Sequence, residues 1–307
     1  MPAKFGRVYT LSVTMPTGEM VSVAYPFTLE FQVTRSKLAS ANTAKLTLLN
    51  LGKTTREALF WDYYNPSVNH PILKLQAGYV NDITQPGAEY DLTGALKGAN
   101  LFDALPTVYT GQVFSAYSQR VGTEYRTEIT CFDGGTALTQ GQVSTSIAAG
   151  ASQSGIIGML MEALPGVDGK TVGLSFVDQI KRGIVLFGNP AEILKQATGD
   201  KFYIDSQDAF ALDIDEVIQG DMPEITSDSG LLGSPRRGQA TLELDMIFEP
   251  RLKPSQAIVL NSSTESNYNG TYKVMGFSHQ GVISGAIGGT AVTRVNLFAG
   301  KVFRAVG

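Results

Sequence analysis

The sequence predicts a mainly β fold in which two strand-rich units flank a small α+β insert, and three observations lead there. The 307 residues include 33 Gly, 13 Pro, 12 Tyr and 15 Phe, the mixture of turn formers and aromatics that many short strands require. Runs in which apolar and polar residues alternate recur at both ends of the chain. Capped helical segments gather in the middle.

Taken in order, Val8 to Tyr25 reads as a hairpin around Pro16-Thr17-Gly18, with Tyr9, Leu11 and Val13 on one face and Val21, Val23 and Tyr25 on the other strand's matching face. The run from Phe27 to Thr34 alternates without a fault and assigns Phe27, Leu29, Phe31 and Val33 to a buried face. Ala44 to Leu51 is the next strand, with Leu46 and Leu48 together. Thr54 followed by Glu57 reads as a capping box that opens a short helix through Leu59, Phe60 and Trp61, closed before Asn65-Pro66. Ile72 to Tyr79 resumes the β pattern, and the Gly-, Asn- and Asp-rich stretch from Asn81 to Asp103 reads as a long contact loop. Thr107 to Gln119 and Tyr125 to Phe132 pair across Gly122.

From Asp133 the residues become small, and Ser144 to Ser154 reads as a linker. Two helix-then-strand units follow, Gln153 to Leu164 with Thr171 to Phe176, and Pro190 to Thr198 with Phe202 to Asp205. Asn189 suits the N-cap, Pro190 the first turn and Gly199 the stop of the second helix. Gly220 to Gly238, rich in Gly, Ser and Pro, reads as a loop, after which strands return at Thr241 to Phe248, Ala257 to Leu260, Tyr272 to His279 and Gly289 to Leu297. The expected units are therefore 1–135, 136–219 and 220–307, the outer two each of a size to close as a small barrel.

Composition narrows the function. With 24 Lys and Arg against 28 Asp and Glu, the net charge of -4 lacks the basic excess of a protein that grips phosphates. A single cysteine, Cys131, excludes an intrachain disulfide and fits assembly in a reducing compartment. Met1 to Tyr9 lacks the apolar stretch of a secretory signal, and no segment reaches the roughly 18 apolar residues of a membrane span. Two histidines, His70 and His279, are too few for an ordinary zinc site, and neither adjoins a Gly-x-Ser-x-Gly elbow.

The succession of motifs is similar to the hub proteins of phage tail baseplates, the family that includes the late-control D-type proteins. It runs from Leu49-Asn50-Leu51 with the helix Thr54 to Leu59, through Leu75-Gln76-Ala77-Gly78-Tyr79, Tyr109-Thr110-Gly111-Gln112-Val113 and Thr130-Cys131-Phe132-Asp133-Gly134. Near the other end Ser229-Gly230-Leu231-Leu232-Gly233-Ser234-Pro235 precedes a strand that ends Ile247-Phe248-Glu249-Pro250-Arg251-Leu252. The resemblance implies two tube-like β-barrel domains per chain and a homotrimer whose ring joins the sixfold tail tube, or a tube-terminating protein, to the threefold central spike. It also implies wedge or tape-measure neighbours, a bore through which DNA passes without specific binding, and a place in the virion tail baseplate after assembly in the host cytoplasm.

No catalytic, cofactor-binding or metal residues are assigned. The acidic cluster Asp205, Asp208, Asp213, Asp215 and Glu216 lacks calcium-loop spacing and reads as a solvated strand face. Lys181-Arg182 and Arg236-Arg237, without interleaved aromatics, read as surface or subunit ion-pair residues. Cys131 reads as a small buried hydrophobe and the histidines as polar residues at strand edges. Gly230, Leu231, Leu232 and Gly233 are the candidate subunit or spike contact, because two leucines are costly to leave in water and bury against the second β unit or a neighbour. Two other readings stand beside the hub. One is a virion module that binds carbohydrate or a receptor through the loop from Asn81 to Asp103, and the other is a cell-wall hydrolase, for which the sequence holds no separate domain.

Overall fold

Alternation in the sequence becomes one long antiparallel sheet. The structure, a computed structural model, describes residues 4, 6–37, 41–62, 64, 69–80, 105–239, 241–300 and 303–306. The first region holds β1 (Arg7–Thr14), β2 (Met20–Ala24), β3 (Leu29–Ser36), β4 (Thr43–Leu49), helix α1 (Lys53–Leu59), β5 (Ile72–Tyr79), β6 (Thr107–Val121) and β7 (Glu124–Phe132). The middle holds α2 (Gly135–Gln140), β8 (Val143–Ile147), α3 (Gln153–Glu162), β9 (Gly169–Val172), β10 (Ile184–Gly188), α4 (Pro190–Thr198), β11 (Phe202–Asp205) and β12 (Asp208–Ala211). The last region holds β13 (Glu216–Ile218), β14 (Glu224–Thr226), β15 (Leu231–Arg237), β16 (Thr241–Ile247), β17 (Ala257–Asn261), β18 (Gly270–Ile283), β19 (Ala291–Phe298) and β20 (Arg304–Val306). The protein is thus mainly β with an α+β insert.

Strands of the first and last regions join in a 13-stranded sheet of order β15-β16-β19-β18-β3-β4-β7-β6-β5-β1-β2, to which β17 adds at β18 and β14 at β17. Among the described residues β2 and β15 end this path and do not pair with each other. The seam between the regions is β3 on β18, antiparallel over eight residue pairs from Leu29 opposite Ile283 to Ser36 opposite Gly276. β18 serves two partners along one edge: Gly270 to Lys273 pair with β17, and Gly276 to Ile283 pair with β3. The insert contributes no strand to this sheet. It forms a β8–β10 ribbon and a three-stranded β11-β12-β9 sheet, and a separate parallel pair links β13 to β20.

The apolar faces bury as period-2 alternation requires. Tyr9, Leu11, Val13, Leu29, Phe31, Val33, Leu46, Leu48 and Cys131 lie in one cluster, which Phe248, Ile283 and Ala291 from the far end of the chain also enter. Leu231, Leu242, Leu244, Met246, Val274, Phe277, Val295 and Leu297 form a second. The insert has its own, with Ile157, Leu160, Met161, Leu194, Phe202 and Ile204.

Several local expectations hold and several change. Asn189 caps α4, its side-chain oxygen accepting from the Ala191 N–H at 2.8 Å, and Gly199 ends the helix with φ +65°. The capping box at Thr54 does not form: α1 starts one residue earlier behind Gly52, without a side-chain cap, and Glu57 instead lies 3.7 Å from Lys53 one turn back. Trp61 leaves the helix to bridge Ala116. Phe27 is 45% exposed because the turn over Tyr25-Pro26 delays β3 until Leu29. The expected linker from Ser144 to Ser154 contains most of β8, and the loop from Gly220 to Gly238 contains β14 and β15. In both, Ser and Gly are accommodated because the strands are short or lie at an edge. The expected contact loop from Asn81 to Asp103 lies outside the described residues.

Gly276 sits where β18 changes partner. A Cβ there would lie 2.8 Å from the Ser36 side chain and 2.9 Å from the Arg35 carbonyl oxygen. Gly276→Ala is therefore expected to push β3 away from β18 and cost about 1–3 kcal/mol, the usual range for overpacking. Chemical denaturation checks it, and an unchanged midpoint would show that the seam yields freely.

Candidate functional site

Where the insert meets the sheet, the structure gathers charge in the interior. Arg35 continues the odd-numbered inward face of β3 after Leu29, Phe31 and Val33, so β periodicity turns an arginine into the core. Its Nε and Nη2 donate to the two Asp205 carboxylate oxygens of β11 at 2.8 and 2.5 Å, and its Nη1 donates to the Val108 carbonyl at 2.9 Å. Burial opposes the Arg35 charge, but the Asp205 carboxylate outweighs it and raises the guanidinium pKa. Asn42 completes the junction: its amide nitrogen donates to Asp205 at 2.9 Å and to the Ile204 carbonyl at 3.1 Å, while its oxygen accepts the Ser36 N–H.

Asp133, at the end of β7, supports the same junction from the other side. Its carboxyl oxygens accept the backbone N–H groups of Ser206 and Gln207 at 2.5 and 3.1 Å. Both residues have positive φ, so this side chain stabilises the left-handed turn between β11 and β12. Burial and the neighbouring Asp205 push the Asp133 pKa up to about 7 against those hydrogen bonds and Arg35.

A second buried cation, Lys273 of β18, donates to the backbone carbonyls of Asp213, at 2.6 Å, and Glu216. Burial and the adjacent Lys37 ammonium lower its pKa to about 7, and burial lowers Lys37 as well. Lys37 reaches the Leu212 carbonyl at 3.3 Å. Glu216 turns its fully buried carboxylate to the N–H groups of Ser175 and Asp213, each at 2.8 Å. These groups bind one another and the backbone, an arrangement that fixes geometry.

The acidic cluster is therefore not one solvated face. Asp205 and Glu216 are interior anchors, Asp213 pairs with Lys201 at 2.6 Å, and Asp215 pairs with Arg304 at 3.0 Å. Among the described residues no group of three or more His, Cys, Asp or Glu is placed to hold a metal ion. His279 is buried in mid-strand rather than at an edge, with Nδ1 2.8 Å from the Thr293 hydroxyl and rings of Phe277 and Phe248 against it. Burial and Arg35 lower its pKa to about 3, so it is neutral. His70 lies edge-on to Trp61 instead, and the two histidines share no site. Cys131 is fully buried, which raises its thiol pKa. Arg236 reaches Asp245 at 3.1 Å across the β15–β16 pair, and Lys181-Arg182 stay exposed.

The candidate contact splits. Gly230 has φ +108° and packs so tightly on Ile247 that a Cβ would lie 2.2 Å from it. Leu231 is buried in the second apolar cluster, Leu232 is 41% exposed, and Gly233 turns with φ +67°. One leucine is an anchor of the chain's own core and its neighbour faces outward at the sheet end, as successive strand residues do. The sequence reading missed Arg35, Asn42, Asp133 and Lys273. The signal for Arg35 was present, since the alternation from Leu29 to Val33 continues in phase to it.

Comparison with known proteins follows the same outline. The family model described as Baseplate hub gp41 matches residues 8–280. No curated protein matches the sequence. Among solved structures, a tail protein from Neisseria meningitidis MC58 is similar at 8% identity and TM-score 0.59, over 97% of this chain and 98% of that one. The 43 kDa tail protein of prophage MuSo2 from Shewanella oneidensis is similar at 10% identity and TM-score 0.54, over 94% and 97%. An E. coli protein described as a component of the type VI secretion system, with structural similarity to T4 bacteriophage tail proteins gp27 and gp5, aligns at 9% identity and TM-score 0.55, over 92% and 76%. At such identities the likeness is one of fold.

Two outcomes follow from the buried charges. Asp205→Ala leaves the Arg35 guanidinium buried without its partner and is expected to cost about 3–5 kcal/mol in a urea titration, whereas Arg35→Met combined with Asp205→Leu recovers most of that. A double variant whose loss equals the sum of the Arg35→Met and Asp205→Leu losses would show that the pair is uncoupled. Lys273 titrates near 7 in the folded chain and near its usual 10.4 when unfolded, so between these values the unfolded state holds more protons and stability rises with pH. The stability difference between the native chain and Lys273→Met should therefore shift in favour of the native chain from about pH 6 to pH 10 and level off only below about pH 6. A flat profile across the whole range would place the lysine in a solvated setting.

Proposed function

The chain belongs to the baseplate hub gp41 family, and from that premise we propose that it is a structural, non-enzymatic symmetry adapter of a phage or phage-like tail. In this reading three copies form a ring between the tail tube, or a tube-terminating protein, and the central spike, with wedge or tape-measure proteins as further neighbours. The ring assembles in the host cytoplasm and takes its place in the virion's tail baseplate. Its bore forms part of the ejection channel, through which DNA passes without specific binding, as the net charge of -4 suits. The family match over residues 8–280 carries the reading.

The fold supports it. Residues 1–135 and 220–307 supply the strands of one continuous sheet, as two tube-type β domains set side by side would, and 136–219 form the layer attached to them. The exposed Leu232 beside Gly233 remains the proposed subunit or spike contact at the β15 end. The interior charges bond to one another and to the backbone, which fits a protein that works by holding its shape.

Native mass spectrometry of the chain co-expressed with its cognate spike tests the assembly. The expected result is a complex with three copies of this chain, and Leu232→Glu is expected to weaken it at least tenfold without lowering the melting temperature. A complex with one copy, or a monomer under every condition, would overturn the trimeric adapter.

A further inference from the structure

The insert carries an unguarded β edge. β8 and β10 form a sheet of only two strands, and among the described residues each leaves its other edge unpaired. Two-stranded ribbons are marginal alone and gain most from a third strand. On the inner face Leu186 and Val143 pack toward the insert's apolar cluster. On the outer face Val185 is 77% exposed and Phe187 82%, opposite Ser146 and Ser144.

The β15 end of the large sheet is protected. β15 contains Pro235, a register shift between Leu232 and Arg236, and the charges of Arg236 and Arg237, all of which discourage strand addition. β10 has no proline, no charge and a one-to-one register from Ile184 to Gly188. Directly before it stand Lys181 and Arg182, exposed and, among the described residues, outside any ion pair.

We propose that the β10 edge and the Val185–Phe187 face receive an extended segment of a partner protein, apolar at alternate residues and acidic at the end that lies beside Lys181-Arg182. Backbone hydrogen bonds to the free edge would supply affinity, and the apolar face and charge complementarity would supply register and direction. A second copy of β10 fits less well. Antiparallel self-pairing would carry each Lys181-Arg182 past the other strand's end at Pro190, where α4 begins, and would set four cations against only the two Glu192 carboxylates of the helix starts.

The test uses the purified full chain and a fluorescein-labelled peptide that alternates valine and threonine and ends in two glutamates, against the same peptide ending in two lysines. Anisotropy should show saturable binding of the acidic peptide at least tenfold tighter than the basic one. Hydrogen exchange should slow at Ile184 to Gly188. Phe187→Lys, and separately Lys181→Glu with Arg182→Glu, should each weaken binding at least tenfold while the melting temperature stays unchanged, since all three side chains are exposed. Absence of saturable binding, equal binding of the two peptides, unweakened binding by Phe187→Lys, or slowed exchange at β2 or β15 instead would overturn the proposal. So would self-association of the chain that Phe187→Lys abolishes, which would give the face to a second copy.

Discussion

The bidentate bond between Arg35 and Asp205 is the point on which the arrangement of layers depends. A guanidinium 2% exposed is held from two sides, by a carboxylate of the insert and by the Val108 carbonyl of β6. An interior ion pair is a weak source of stability against an apolar replacement of equal shape, because desolvation offsets most of the Coulomb gain. Its contribution is directional. Two parallel hydrogen bonds define where β11 sits on the end of β3, and Asn42 and Asp133, flanking the ends of β4 and β7, attach the same turn from two further sides.

The sheet imposes the complementary constraint. β3 and β18 pair although some 240 residues separate them, so the seam closes only after the chain has been made as far as β18. Phe248, Ile283 and Ala291 enter the first apolar cluster across that seam, and the Tyr79 hydroxyl donates to the Phe248 carbonyl at 2.7 Å. The two β regions therefore share a core boundary, and the strain of a misplaced residue such as a bulkier one at Gly276 would reach both.

What could be read from the sequence follows from the range of the forces involved. Strand faces from Tyr9 to Val13, Leu29 to Val33 and Leu242 to Phe248 were legible because alternation is a local code. The Asn189-Pro190 start and Gly199 stop of α4 were legible for the same reason. The Thr54 cap failed because Ser/Thr caps compete with the neighbouring backbone, and Gly52 had already turned the chain. Asp205 was misread as solvated because its partners, Arg35 and Asn42, come from elements far away in the chain, and Glu216 because its carboxylate is met by the backbone N–H groups of Ser175 and Asp213, which a residue pattern does not reveal. A charge in a strand looks solvated until its counter-ion is known. How Leu231 and Leu232 divide between core and surface was hidden, since it depends on which face of β15 meets β16.

No strand of the insert joins the 13-stranded sheet, and this decides how the insert is held. A layer attached through a hydrogen-bond ladder inherits the register of the sheet, whereas an apolar layer alone retains freedom to slide, because burial is non-directional. Here the attachment is made by side chains: Arg35, Asn42 and Asp133 at one turn, Lys37 and Lys273 at the next. Two separated sets of directional bonds prevent both translation and rotation of one layer against the other. The sheet keeps its continuity, and the insert is held against it without interrupting a single ladder bond among the described residues.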